Sequence, residues 1–219
     1  MSLKLYYHPL SSYCWKALIA LYEGDVHFER EIVNLGDEAE RAAFLKLWPI
    51  GKFPLLTDSA TGAVVPESSI IIEYLQDNAP GFPALIPQDK KLALEARLKD
   101  RFYDHYVHTP MNVFTQDRLR PKDARDFLGL AQAERMLRTA YAVANHEIAA
   151  KHWALGESFT IADCSAFPAL YYADRYVPIG PEHPALAAYL ARLHERPSVN
   201  RAFKEAAPFM HMFPGNSQD

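Results

Sequence analysis

Cysteine is scarce in this chain. Cys14 and Cys164 are the only two among 219 residues, which excludes a disulfide framework and fits a reducing compartment. Basic clusters are missing as well. The chain carries 23 Lys and Arg against 27 Asp and Glu, a net charge of −4, so nothing gathers the cations needed to neutralise phosphates, and no nucleic-acid partner is expected. No apolar run approaches the roughly 20 residues of a membrane span. The N-terminus lacks the basic and then apolar pattern of a secretory signal. Internal repeats and low-complexity segments are also lacking. The expectation is a soluble, cytoplasmic protein with no membrane attachment. What is present is core-forming material: 49% hydrophobic and 12% aromatic residues, enough for one large domain or two modest ones.

The stretch Ser11-Ser12-Tyr13-Cys14-Trp15-Lys16 marks a change of period. Leu3 to Tyr7 is apolar and aromatic enough for a short buried strand, whereas Trp15, Leu18, Ile19 and Tyr22 recur at helical spacing until Gly24. Ser11 and Ser12 therefore stand where a strand becomes a helix. The first N–H groups of a helix lack partners and carry partial positive charge, so this turn can seat an anion. The same position suits a serine that only caps the helix.

Further along, Val26 to Val33 alternates as a second strand, parallel to the first across the helix. Glu38 to Leu47 reads as a short helix. Phe53 to Thr57 and Ala63 to Val65 read as an antiparallel hairpin, and a helix follows Glu67-Ser68-Ser69. Asn78 to Pro87 is the one clear break in composition, with a glycine and three prolines at positions 80, 83 and 87. The expected domains are 1–78, ordered βαβαββα, a linker at 79–88, and an all-helical unit at 89–219. In the latter, a long helix runs from about Leu92 to about Leu119 and a second carries Leu130 to Ile148. A third starts at Thr160 with Asp163 as its capping-box partner, a fourth carries Leu186 to Leu193, and a last one starts at Pro197. The apolar tail from Pro208 to Pro214 is expected to fold back onto the protein.

Three segments together resemble a cytosolic glutathione transferase over nearly the whole chain: Gly51-Lys52-Phe53-Pro54-Leu55, Pro66-Glu67-Ser68-Ser69-Ile70, and Ser158-Phe159-Thr160-Ile161-Ala162-Asp163. The resemblance implies an α/β thioredoxin-like N-terminal domain, an all-α C-terminal domain and a homodimer. Apolar surface on the long helix, expected to lie exposed beside the first domain, supports the dimer. It also implies glutathione as co-substrate, with Glu67 on its γ-glutamyl amine and Ser68 on the neighbouring carboxylate. Pro54 is then cis, the Phe53 main chain pairs with the cysteinyl unit, and Lys52 reaches the glycyl carboxylate. Tyr103, His105, Tyr106 and Phe209 would line the pocket for a hydrophobic electrophile. Asp104, His105 and His108 lack the spacing of a zinc helix, so no metal is expected.

The implied chemistry is ionisation of the glutathione thiol. An ordinary thiol has a pKa near 8.5, and holding it mostly ionised at neutral pH takes about 2 units, nearly 3 kcal/mol. A hydrogen bond to a charged partner contributes about 1.5–3 kcal/mol, so one hydroxyl at a helix start suffices. By resemblance Ser11 takes this role, with Ser12 and Tyr7 as alternatives; a serine at this turn is similar to the theta and delta classes, and the Ser-Ser pair followed by Trp15 resembles the zeta class. Cys14 is expected to be buried and inert. Conjugation to small electrophiles is the leading activity. Isomerisation, dehalogenation and ether cleavage start from the same thiolate, and a non-catalytic ligand carrier of the same fold is the rival class.

Overall fold

The computed structural model describes residues 2–214. Strand β1 (Leu3–Tyr7) alternates buried and half-buried residues and leads into helix α1 (Ser12–Glu23). Strand β2 (Glu29–Ile32), helix α2 (Glu38–Leu47), strands β3 (Leu55–Asp58) and β4 (Ala63–Pro66), and helix α3 (Ser68–Asn78) complete the first part. The sheet has the order β2-β1-β3-β4, with β2 parallel to β1 and the other pairs antiparallel. This is a thioredoxin-like arrangement. Strand β2 is shorter than the alternation over Val26 to Val33 predicts, and all four of its residues are exposed. It lies at the sheet edge, where one side of the strand has no neighbour and few contacts extend the pairing. The Phe53–Pro54 peptide is cis.

The rest is helical: α4 (Lys90–Phe102), α5 (Thr109–Arg118), α6 (Phe127–Ile148), α7 (Ile161–Asp174), α8 (Pro184–Glu195) and α9 (Pro197–Ala206). Helices α4 and α5 form one rod, joined through a π-helical segment at Tyr103–His108. Pro110 supplies a reason for the widened turn, because it has no N–H and its ring crowds the carbonyl one turn back. The Thr109 backbone N–H reaches the Asp104 carbonyl, five residues back, and the Thr109 hydroxyl donates to the same oxygen at 3.0 Å.

Helix α1 is buried on nearly every side, because one face covers the sheet and the other meets α7 and α9. Trp15 shows why the two parts hold together. Its ring lies 5.9 Å from that of Phe167 and 5.0 Å from that of Tyr172, and its indole N–H donates to the Pro9 carbonyl at 2.5 Å. Each large apolar side chain buried in this way contributes about 1.5–3 kcal/mol. The α7 capping box forms. The Asp163 carboxylate accepts from the Thr160 N–H at 2.8 Å, the Ala154 N–H at 2.8 Å and the Tyr189 hydroxyl at 2.6 Å, a saturated buried cluster with a structural role. The tail turns back, and Phe213 is buried 5.0 Å from the Tyr172 ring.

Candidate functional site

A cleft of about 580 Å³ opens along the seam between the sheet domain and the α4–α5 rod. Ser11 and Ser12 form its floor. Leu10, Phe53, Met111, Tyr172 and Phe213 make its apolar walls, and Lys52, Asn112 and Gln116 give it a polar rim. Ser11 is the residue that caps α1. Its extended backbone (φ −76, ψ 121) turns the side chain over the helix end, and its Oγ accepts from the Cys14 N–H at 3.4 Å. That bond is longer than a normal N–H···O contact, so the hydroxyl is only weakly committed to capping. Burial pushes the Cys14 thiol up to about 12 even with the Ser11 hydroxyl beside it, which leaves Cys14 unreactive.

Ser12, the first residue of α1, is engaged differently. Its Oγ lies 2.5 Å from His108 Nε2 on the α4–α5 rod, and the Tyr13 ring lies 4.2 Å from the imidazole. Burial, with the nearby Lys16 charge adding, brings the His108 pKa down to about 4, so the imidazole is neutral at neutral pH. One turn into α1, the Lys16 ammonium is 1% exposed and lies 2.5 Å from Asp100 and 2.8 Å from both Asp104 and the Ser69 hydroxyl. The Arg101 guanidinium closes the cluster by donating to Asp100, Asp104 and Ser69. Burial works against both carboxylates. Lys16 and Arg101 hold the Asp100 carboxyl below its ordinary range, whereas Asp104 remains raised. Two cations and two acids thus join α1, α3 and the α4–α5 rod beneath the cleft floor.

Glu67 and Ser68 sit at the start of α3, outside the lining of the cleft. Glu67 is exposed, holds φ +71 and makes no side-chain cap bond; Ser68 is buried. A positive φ at a glutamate costs of order 1–3 kcal/mol and persists only where its surroundings enforce it. Glu67 is also close enough to Tyr13 that, behind burial and Asp104, its charge raises the phenol. Lys52 is exposed, and Phe53 is half-buried on the cleft wall.

Other expected residues lie elsewhere. The Tyr7 side chain belongs to the core between the sheet and α1, with Arg30 and Glu205 as its nearest charges, and burial raises its pKa. The alternation along β1 sends Leu3, Leu5 and Tyr7 to that helix-covered face, which takes Tyr7 away from the cleft. Tyr103 is 5% exposed inside the helical domain, while His105 and Tyr106 face outward. The π segment rotates the rod, so His108, Asn112 and Thr115, at i, i+4 and i+7, meet the cleft instead. Phe209 is half-buried with its ring 6.5 Å from His8, and the wall from the tail is supplied by Met212, Phe213 and Pro214. Among the described residues no group of three His, Cys, Asp or Glu could hold a metal ion, and no helix is long and apolar enough to cross a membrane.

Residues 5–92 match the family model of the glutathione S-transferase N-terminal domain, and residues 125–192 match that of the C-terminal domain. A protein named probable maleylacetoacetate isomerase from Caenorhabditis elegans is 30% identical over 174 residues, covering 78% of this chain and 79% of that one. The chain belongs to the glutathione S-transferase family. Glutathione S-transferase GstA of Escherichia coli O157:H7 is also 30% identical, over 70% of this chain and 73% of its own length. A glutathione S-transferase from Methylobacterium radiotolerans, solved in complex with glutathione sulfonate, superposes with a TM-score of 0.79 at 28% identity, covering 92% of this chain and 94% of that chain.

Within this glutathione S-transferase fold, reading the sequence did not identify Lys16 as part of the site and weighed His108 only as a metal ligand. Both had a signal. Lys16 is the only charged residue between Ser12 and Tyr22, and Pro110 breaks the period of the long helix just after His108.

Proposed function

We propose that this protein binds glutathione across the seam and ionises its thiol with the Ser11 hydroxyl, for attack on a small hydrophobic electrophile held by the apolar walls. The position of Ser11 carries this reading. It combines a weakly committed hydroxyl, the unpartnered N–H groups of the α1 start and an open cleft lined by both domains. Glu67 and Ser68 would hold the γ-glutamyl end, the Phe53 main chain the cysteinyl unit, and Lys52 the glycyl carboxylate. The relative solved with glutathione sulfonate supports the ligand.

Conjugation is the first reading. Glutathione-dependent isomerisation is the second, favoured by the Caenorhabditis elegans relative named as a maleylacetoacetate isomerase. Both use the same thiolate. Retention on immobilised glutathione, with turnover of an activated aryl chloride, supports the enzyme. Binding without turnover of any electrophile would favour a carrier instead.

A homodimer is part of the same proposal. Leu94 and Leu98, 70% and 66% exposed, lie one turn apart on α4, and the Glu73–Arg97 ion pair bridges α3 and α4. Sedimentation at micromolar concentration tests it, and a monomer counts against it.

A further inference from the structure

The geometry points to Ser12 and His108 as a proton relay for the second substrate, one that makes α,β-unsaturated carbonyl compounds the electrophile class this cleft serves best. The inference rests on glutathione binding as proposed above. Its basis is a hydroxyl and an imidazole held 2.5 Å apart from opposite domains, both lining the cleft, with the imidazole packed against Tyr13. Capping α1 requires neither group, since Ser11 does that. His108 also belongs to no group of three His, Cys, Asp or Glu that could hold a metal ion among the described residues.

A neutral imidazole carries one donor and one acceptor nitrogen. The Ser12–His108 pair can therefore pass a proton in either direction, depending on the tautomer. Burial and Lys16 keep His108 neutral. A thiolate in the same cleft reverses part of that bias, because a nearby negative charge raises the proton affinity of an imidazole. The proton given up by the glutathione thiol sits on His108 only as a transient ion pair with that anion, and the imidazole is neutral again once the anion is consumed. When the thiolate adds to the β-carbon of an enone, the sulfur–carbon bond forms and the π pair moves to an enolate. Ser12 gives its hydroxyl proton to the α-carbon and is reprotonated by Nε2–H of His108, which returns to neutral. The thiol proton ends on carbon, and nothing else is consumed. Substitution on an aryl chloride has no such need, since the charge leaves with chloride and no carbon is protonated. Asn112 and Gln116, on the polar rim of the same cleft, carry amide N–H groups that can donate to a carbonyl oxygen.

The test compares glutathione addition to benzylideneacetone with glutathione substitution on chlorodinitrobenzene, in wild type, His108→Gln and Ser12→Ala. Gln keeps a hydrogen-bonding side chain but cannot exchange the proton. Both variants should lower the enone-to-aryl-chloride rate ratio by roughly tenfold or more, the low end of general acid–base effects. The wild-type solvent deuterium isotope effect on enone turnover should disappear in both. Equal losses for the two electrophiles would overturn the relay. Wild-type turnover of the aryl chloride without the enone would overturn it too, while leaving the proposed function intact. Failure to bind glutathione at all would remove the underlying reading and the relay together.

Discussion

Replacing Ser11 by alanine separates a helix cap from a thiol activator. The cap is weak: the Oγ accepts from the Cys14 N–H at 3.4 Å, so its loss should cost only about 0.5 kcal/mol, the low end of the range for N-cap serines. Chemical denaturation should therefore register little. The thiol should register much more. The acceptor beside the Ser11 hydroxyl proton is the buried Cys14 sulfur, a weak one, so the hydroxyl can turn to donate to a thiolate. Such a charge-assisted bond is worth about 1.5–3 kcal/mol, or about 1–2 pKa units. Bound glutathione should then titrate about 1–2 units higher in Ser11→Ala than in wild type. Turnover at mildly acidic pH should fall roughly tenfold or more, because the thiolate fraction falls by that factor. Glutathione affinity should change little, since the γ-glutamyl contacts proposed above lie at α3. The assay is ultraviolet difference titration of the bound thiol, run in parallel on Ser12→Ala and Tyr7→Phe. An unchanged thiol pKa in Ser11→Ala refutes the reasoning. If Ser12→Ala alone moves it, the activator is the serine bonded to His108.

Lys16→Met leaves Asp100 and Asp104 buried beside an incomplete set of cations, which should cost about 3–5 kcal/mol and lower the Tm by about 6–20 °C; a calorimetric shift of a degree or two would show that the cluster contributes little. Glu67→Ala should weaken glutathione binding by about 1.5–3 kcal/mol in titration calorimetry. Glu67→Gly should bind as weakly yet melt higher than the alanine variant, because glycine accepts φ +71 without strain. The His108 pKa falls from 6.5 to about 4 on folding. The unfolded chain therefore binds more protons between those values, and wild-type stability should drop by roughly 3 kcal/mol as pH falls through that window. Denaturation curves of His108→Gln should lack most of that drop.

The helical and strand periods were legible wherever one face of an element is buried. α2 begins and ends where its apolar spacing and the following Trp48-Pro49 place it. β2 was overextended because alternation in Val26 to Val33 carries no information about a strand having only one neighbour. The first-turn serines, Phe53 and the start of α3 could be placed because strand-to-helix turns and helix starts are local features. The far wall of the cleft could not. Which side chains of the α4–α5 rod face it depends on the phase of the rod through the widened turn, and the resemblance pointed to Tyr103 and Tyr106 where the structure places His108 and Asn112. The Lys16 cluster was hidden for another reason. A pairing across 84 and 88 residues has no local spacing to announce it.

That cluster also limits how this chain can exchange parts with its relatives. Lys16 comes from the first domain, Asp100 from α4 and Asp104 from the π-helical segment that joins α4 to α5. A chimaera that grafts a helical domain without acids at those two positions keeps the ammonium but loses both of its counter-ions. The reverse graft strands two acids in the interior. Residues 16, 100 and 104 therefore have to travel as one heritable unit, and a neutral trio can replace them only if all three change together.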